Sequence, residues 1–301
     1  MADGFALLGD AVRLSVIVNT GDDLELHGLH VSPDLDTVMY TLSGLANDET
    51  GWGVRDETWS ASWMLGRYGE PTWFRLGDRD LATHIARTKG LAEGARLTEV
   101  TARLARALEI DTALLPMTDD RVRTQLRTAD GWLDFQDYFV RRGHTDEVLE
   151  LRYDGMEAAR ATSEVVDAVA AASVIVIAPS NPFLSVAPIL SVPGILDALT
   201  ASAAPVLAVS PIVGDDAVRG PAAQLMRSIG RDEPSAAAIA RHYADAWPDL
   251  VDVLVIDAAD EAQASVIAEA GIRAHVTGTL IAEAKERRRL AQEILELAGA
   301  L

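Results

Sequence analysis

VIVNTGDDLELHGLHVSPDLDTVM, residues 16–39, is the stretch around which the rest of the chain is read. An apolar strand over 14–18 runs into Asn19-Thr20-Gly21-Asp22-Asp23. A short acidic, histidine-containing link follows. Ser32-Pro33-Asp34-Leu35-Asp36 then opens a helix, with Ser32 as N-cap, Pro33 at the first helical position and an acid in the first turn. No Lys or Arg occurs between Arg13 and Arg55, so Asp22, Asp23, Glu25, Asp34 and Asp36 have no local cation. Carboxylates gathered without basic partners call for a divalent metal or a ligand that donates hydrogen bonds. A polar turn and a helix cap explain Asn19, Asp22 and Ser32 one at a time; they do not explain the group. At about 100° per residue, Asp34 and Asp36 point about 200° apart on their helix. Only one of them faces a ligand squarely, and Asp36 lies deeper in the turn.

Working outward, residues 4–12 read as a short amphipathic helix feeding the first strand. Helices are predicted over 56–68, 81–89 (with Asp78 as N-cap) and 97–108, the last with Leu97, Val100, Leu104 and Leu108 on one face. The character changes at Ala113. Residues 113–117, 122–127, 132–139 and 148–153 read as strands, and Thr128-Ala129-Asp130-Gly131 is a hairpin turn. From Ser163 strands and helices alternate. Ser173-Val174-Ile175-Val176-Ile177-Ala178 has the continuous β-branched character of a strand covered on both faces. Strands alternating with helices imply an α/β, Rossmann-like, doubly wound and mostly parallel sheet. The expected organisation is one domain, with a core over about 1–95 and 160–301 and a small inserted α+β lobe over about 96–159.

The composition narrows the function. With 301 residues, 49% of them hydrophobic, the chain can bury a sizeable core. Cysteine is absent, which excludes disulfides and Cys-ligated zinc or iron–sulfur centres. A net charge of −20 argues against nucleic-acid binding, which needs a basic face. No signal pattern and no apolar run of about 18 residues is present, so a cytoplasmic protein with no membrane partner is expected. Lys89 and Lys285 are the only lysines. Arginine, which holds phosphate in a planar fork, carries nearly all the positive charge.

In an open parallel sheet, ligands bind beyond the carboxyl ends of the strands. Three such ends carry polar turns: Asn19-Thr20-Gly21-Asp22-Asp23, Pro179-Ser180-Asn181-Pro182 and Ser210-Pro211-Ile212-Val213-Gly214. Ser180 and Asn181 offer hydroxyl and amide donors on a backbone fixed by prolines. Asn19, Thr20, Ser180, Asn181 and Ser210, at these three ends, are the candidates to meet a phosphate or a purine edge of a nucleotide. No Gly-Lys-Ser/Thr phosphate loop and no GxGxxG fingerprint is present. His27 and His30 lack a third histidine. Asp78-Arg79-Asp80 reads either as a self-paired turn or as the seat of an arginine, Arg75 or Arg79, aimed at a phosphate or ring oxygen. Without a recognisable nucleophile–base pair, direct transfer assisted by metal and charge is the expected chemistry.

Several motifs resemble the 2-phospho-L-lactate transferase family. They are Asn19-Thr20-Gly21-Asp22-Asp23, His27-Gly28-Leu29, Pro33-Asp34-Leu35-Asp36-Thr37-Val38-Met39-Tyr40, Trp52-Gly53, Leu76-Gly77-Asp78-Arg79-Asp80-Leu81-Ala82-Thr83-His84, Leu115-Pro116-Met117-Thr118-Asp119-Asp120, Phe135-Gln136-Asp137-Tyr138-Phe139-Val140, Ala178-Pro179-Ser180-Asn181-Pro182, Val209-Ser210-Pro211-Ile212 and Gly220-Pro221-Ala222. The resemblance implies transfer of a phospho-acid from its guanosine diphosphate adduct to the deazaflavin Fo, with Mg2+ as cofactor, GMP as by-product and coenzyme F-420 as the destination. It places Asp36, Arg75, Asp78 and Arg79 at Fo, with Asp22, Asp34 and Asp36 on Mg2+ and Asp34 or Asp36 as the catalytic carboxylate. The residues do not separate metal ligand from base among these acids. A homodimer is implied as well. The donor acid (phospholactate, phosphoenolpyruvate or phosphoglycerate) is not legible, although the bacterial character of the composition favours phosphoenolpyruvate. The family opens with a strand and a Gly-rich diphosphate loop, whereas this sequence begins in the following helix. Extending the reading frame upstream is expected to reveal both. The competing reading is a nucleotide-sugar-binding regulatory protein of the related gluconeogenesis type. A dehydrogenase is disfavoured by the missing fingerprint.

Overall fold

A computed structural model describes residues 1–47, 49–214, 216–217, 221–230 and 232–301. Gly220 of the Gly-Pro-Ala motif lies outside the described residues. The chain forms two compact units, Ser15–Val165 and Met1–Leu14 with Val166–Leu301. Residues 15–95 therefore group with the expected lobe, not with the C-terminal half. The architecture is mixed α/β with parallel sheets, as the alternation of strands and helices implied.

The chain opens with α1 (Ala2–Ala6), shorter than the expected 4–12 helix, because Gly9 turns with φ +59°. In the Ser15–Val165 unit, β1 (Ser15–Val18) is followed by β2 (Leu24–Leu26) and β3 (Leu29–Val31). The expected link is thus a hairpin. His27 and Gly28 form its two-residue turn with φ of 53° and 73°, the left-handed pair that matches strand twist. Helix α2 (Pro33–Leu42) follows Ser32 as expected. Helix α3 (Ser60–Arg67) begins later than position 56, since Asp56 is left-handed at φ 52°. Next come α4 (Asp78–Ala92) and α5 (Leu97–Ala107). Strand β4 (Ala113–Pro116) pairs in parallel with β1. Strands β5 (Arg123–Thr128), β6 (Gly131–Asp134) and β7 (Glu150–Asp154) make an antiparallel sheet in the order β6-β5-β7, built on the expected Thr128–Gly131 hairpin. The predicted 132–139 strand stops at Asp134. A π-helical turn, Asp137–Arg141, follows it and stacks Phe135 on Phe139 at 5.3 Å.

The α3–α4 junction is reciprocally capped. Asp78 is not the N-cap of its own helix. Its carboxylate accepts from Ser60 N (3.1 Å) and Ala61 N (2.9 Å) at the start of α3. Glu57 returns the favour, accepting from Arg79 N (2.8 Å) and Asp80 N (3.1 Å) at the start of α4. Each exchange satisfies helix-end donors that would otherwise be orphaned. A Cβ at Gly77 would sit 1.9 Å from Glu57 Cγ. Gly77→Ala is therefore expected to displace Glu57 and cost about 1 kcal/mol, the usual worth of a cap. Glu57→Ala should cost about the same, and denaturant unfolding of the double mutant should show no added loss, because both changes remove one interaction.

In the other unit, a parallel four-stranded sheet runs in the order of β8 (Ile175–Ile177), β9 (Val206–Val209), β12 (Val253–Asp257) and β13 (Arg273–Thr277). The two central strands are buried at every residue, as their unbroken apolar runs require. Between β9 and β12 lies a small hairpin of β10 (Ile212–Val213) and β11 (Asp216–Ala217). Leu207, Val209, Val253 and Val255 pack on Leu290, Ala291 and Ile294 of the closing helix Ala284–Ala298, and Phe5 of α1 joins them. Among the described residues, no single helix is long and apolar enough to cross a membrane.

Candidate functional site

The loop after β1 is fixed from several directions. Asn19 Oδ1 accepts from Gly21 N at 2.8 Å, a local turn that Asn favours. Asn19 Nδ2 donates to Asp34 Oδ2 on α2 at 3.1 Å. Thr124 N of β5 donates to Gly21 O at 2.7 Å, and Gln136 Nε2 donates to Asp22 O at 3.1 Å. Thr20, Asp22 and Asp23 are all buried. Their atoms Thr20 Oγ1, Asp22 Oδ1 and Asp23 Oδ1 have no hydrogen-bond partner among the described residues. Orphaned buried oxygens are costly and call for a donor or a cation. Burial first, and Asp34 next, push the Asp22 carboxyl well above its usual range. Burial also pushes half-buried Asp34 up to about 6, with Asp23 adding and the Asn19 hydrogen bond opposing. A cation placed here would remove the cost of keeping both acids ionised.

Asp36 lies on the other side of α2, as the 200° separation requires. Its partner is Arg87 of α4, which comes from outside the cation-free window. Arg87 Nη1 donates to Asp36 Oδ2 at 3.1 Å and Arg87 Nη2 to Asp36 Oδ1, a two-point fork with both residues buried. Burial is the largest influence and would depress the arginine, but the charge and hydrogen bonds of Asp36, with Asp23 and Tyr40 adding, together raise Arg87 above its ordinary value. His84 sits between acids, its Nδ1 3.6 Å from Asp36 and its Nε2 3.2 Å from Asp80. Tyr40 OH donates to Asp80 Oδ1 at 2.7 Å. Burial would raise Asp80, yet the His84 and Tyr40 hydrogen bonds bring it below the usual carboxylate range. Among the described residues, the trio with one ligand atom each within 4.8 Å of one another is Asp36, Asp80 and His84. The expected trio Asp22, Asp34 and Asp36 is not drawn together in this way. Asp36 already has both oxygens engaged by Arg87, so it has no free lone-pair face comparable to Asp22 Oδ1.

The other expected contacts divide. Arg75 is exposed and lies over the Trp59 ring at 4.1 Å. Arg79 donates to Arg55 O at 3.1 Å, and Asp78 is occupied as a cap, also accepting from Thr58 Oγ1 at 2.6 Å. Those hydrogen bonds, Thr58 first, hold Asp78 below the usual range. In the other unit, Ser210 is spent locally: its hydroxyl donates to Ile212 O (2.9 Å) and accepts from Ile212 N (3.2 Å). Asn181 caps the turn that follows it, Oδ1 accepting from Phe183 N and Leu184 N at 2.9 and 3.1 Å. That leaves Asn181 Nδ2 buried with no partner among the described residues. Ser180 is half-buried beside it. His30 lies 2.9 Å from Asp23 Oδ2 and 3.2 Å from Glu25 Oε1, and Ser32 Oγ also donates to Asp23 Oδ2 at 2.8 Å.

The family described as 2-phospho-L-lactate transferase CofD matches residues 1–292. The chain belongs to this family. As a CofD-family transferase it acts in coenzyme F-420 biosynthesis. It is 41% identical over 298 residues to the phosphoenolpyruvate transferase of Kitasatospora aureofaciens, covering 97% of this chain and 92% of that one. It is 43% identical over 290 residues to the Streptomyces griseus phosphoenolpyruvate transferase (95% and 90% covered). It is 46% identical over 238 residues to the one from Mycobacterium avium (77% and 70% covered). A crystal structure of a UPF0052 family member from Bacillus halodurans shares the fold, with TM-score 0.66, 15% identity and 98% and 96% of the two chains covered. Within the CofD framework, sequence reading passed over Arg87 and Thr124, and quoted Tyr40, Asp80, His84 and Gln136 only as members of motifs, with no place at the site. Asp80, His84 and Arg87 repeat at i, i+4 and i+7, so the polar stripe on one face of α4 was the available signal.

Proposed function

We propose that this CofD-family chain transfers phosphoenolpyruvate from its guanosine diphosphate adduct to a hydroxyl of the deazaflavin Fo, releasing GMP. The names of relatives 41–46% identical support phosphoenolpyruvate as the acid. One observation carries the site: Asp22 and Asp34 lie in mutual repulsion next to orphaned buried oxygens of Thr20, Asp22 and Asp23. This donor set of hard oxygens fits Mg2+, with Asp22 and Asp34 as the ligands. When bound, Mg2+ would neutralise charge on the diphosphate. Asn19 keeps Asp34 oriented through its amide. Asp36 acts through Arg87: the pair fixes how α2 sits on α4 and so sets where Asp34 points.

The test is incubation of the full chain with Fo, Mg2+, GTP, a guanylyltransferase and each candidate phospho-acid in turn. Mass spectrometry should show Fo gaining the phosphoenolpyruvyl group, lighter by two hydrogens than the phospholactyl product. An unchanged Fo mass with every acid would end the proposal.

A further inference from the structure

Arg123 is the one residue of its strand face that is both charged and covered. Along β5 the side chains of Arg123, Gln125 and Arg127 share a face. Arg127 is exposed and paired with Glu150 at 3.1 Å, and Gln125 bonds Asp134 and Arg152 at 2.7 and 2.8 Å. Arg123 is only 7% exposed. Its cross-strand neighbour in register is Asp154, but that carboxylate is given to Arg121 at 3.1 Å. The hydrogen bond Arg123 makes is from Nη1 to the neighbouring Val122 O, at 2.8 Å. Among the described residues it forms no ion pair within 4.0 Å. Asp23 is the first carboxylate to act on it and Glu25 the next, both beyond pairing distance. Burial holds its guanidinium below the ordinary value, against the pull of Asp23. A covered guanidinium without an anion is expensive, and adding the anion recovers that cost.

Its place in the fold says which anion. The next residue, Thr124, ties β5 to Gly21 of the carboxylate loop. An anionic donor approaching this loop meets Asp22, Asp23, Glu25 and Asp34. Mg2+ on Asp22 and Asp34 would answer the diphosphate charge. The acid's own carboxylate is then left without a counter-charge, and it is planar, matching the fork of an arginine. We infer that Arg123 binds the carboxylate of the phospho-acid, the group common to phosphoenolpyruvate, phospholactate and phosphoglycerate. This rests on the donor assigned under the proposed function.

The experiment measures binding without Fo, so that no turnover occurs. Wild type, Arg123→Gln and Arg123→Lys are titrated in Mg2+ with the guanosine diphosphate-linked phospho-acid and, separately, with GDP, which carries phosphates and no carboxylate. Arg123→Gln should weaken the phospho-acid adduct by about 10- to 100-fold, the range for losing a charge-assisted pair, and leave GDP within about twofold. Arg123→Lys should fall between, since it keeps charge and loses the fork. Thermal unfolding gives the control: Arg123→Gln should melt no lower than wild type, because it removes an uncompensated buried charge. Equal weakening of both ligands would reassign Arg123 to the phosphates, and an unchanged adduct affinity or a lowered melting temperature would overturn the inference. Wild type that binds adduct but never modifies Fo would instead remove the proposed function.

Discussion

Asp36→Ala is expected to abolish transfer and to destabilise the protein by about 3–5 kcal/mol, because it strands the Arg87 guanidinium in the interior. The loss of activity alone would suggest a role in chemistry; the accompanying loss of stability is what the geometry predicts. Both oxygens of Asp36 are held in the Arg87 fork. His84 and Asp80 pack around it. Urea unfolding of Asp36→Ala, Arg87→Met and the double mutant separates the two roles. Removing both charges should recover much of the stability lost in Asp36→Ala, since a buried pair can be replaced by apolar groups at little net cost. An Asp36→Ala variant as stable as wild type would mean that the fork is not formed, and Asp36 would return to the list of residues able to meet substrate.

Asp34→Asn should separate function from stability in the opposite direction. Asp34 crowds Asp22 in a buried site, and its carboxyl sits up to about 6. A group raised in the folded state binds its proton more tightly there than in the unfolded chain. It therefore subtracts stability as pH rises from about 4 to about 6, and the full penalty is present above 6. In metal-free protein at neutral pH, asparagine removes that penalty, a gain on the order of 1–3 kcal/mol after allowing for partial exposure and coupling. Asparagine also removes a charged ligand for the cation, so transfer should drop by about a thousandfold or more. Two curves check this: stability against pH for both proteins without Mg2+, and the Mg2+ dependence of turnover. The wild-type curve should fall through pH 4 to 6 and be lifted by Mg2+, whereas the Asp34→Asn curve should be flatter and less responsive. Identical curves would place Asp34 outside the cation site.

The strand-and-helix rhythm was legible because apolar runs and caps are local signals. The Thr128–Gly131 turn behaves as written. The 173–178 run does form a strand, but only over Ile175–Ile177 and half-buried at the sheet edge, because its apolar character does not say on which side neighbours stop. Ser32 stands at the N-cap position, yet its hydroxyl is drawn to Asp23 instead of the helix amides. Two kinds of feature were not local. The first is the partner of a buried charge. A window free of Lys and Arg says nothing about Arg87, 51 residues beyond Asp36. The second is which donor a polar side chain serves. Asp78 follows a glycine at a helix start, the pattern of a self-cap, but its carboxylate turns to α3 because Glu57 already fills its own helix end. Ser210 looked like a ligand hydroxyl and is consumed by its own turn. The periodicity of α2 did carry true information. It separated Asp34 from Asp36 by angle; what it could not say was which of the two would meet an arginine.

The exchanged caps between α3 and α4 have a consequence for motion. Helix α3 has no buried residue, so packing contributes little to its order. Its first amides are instead held by a carboxylate rooted in the first turn of α4, and the first amides of α4 by a carboxylate just upstream of α3. Fraying at either end releases both, so the two helix starts share one opening event and their amide protons exchange with solvent at a common rate.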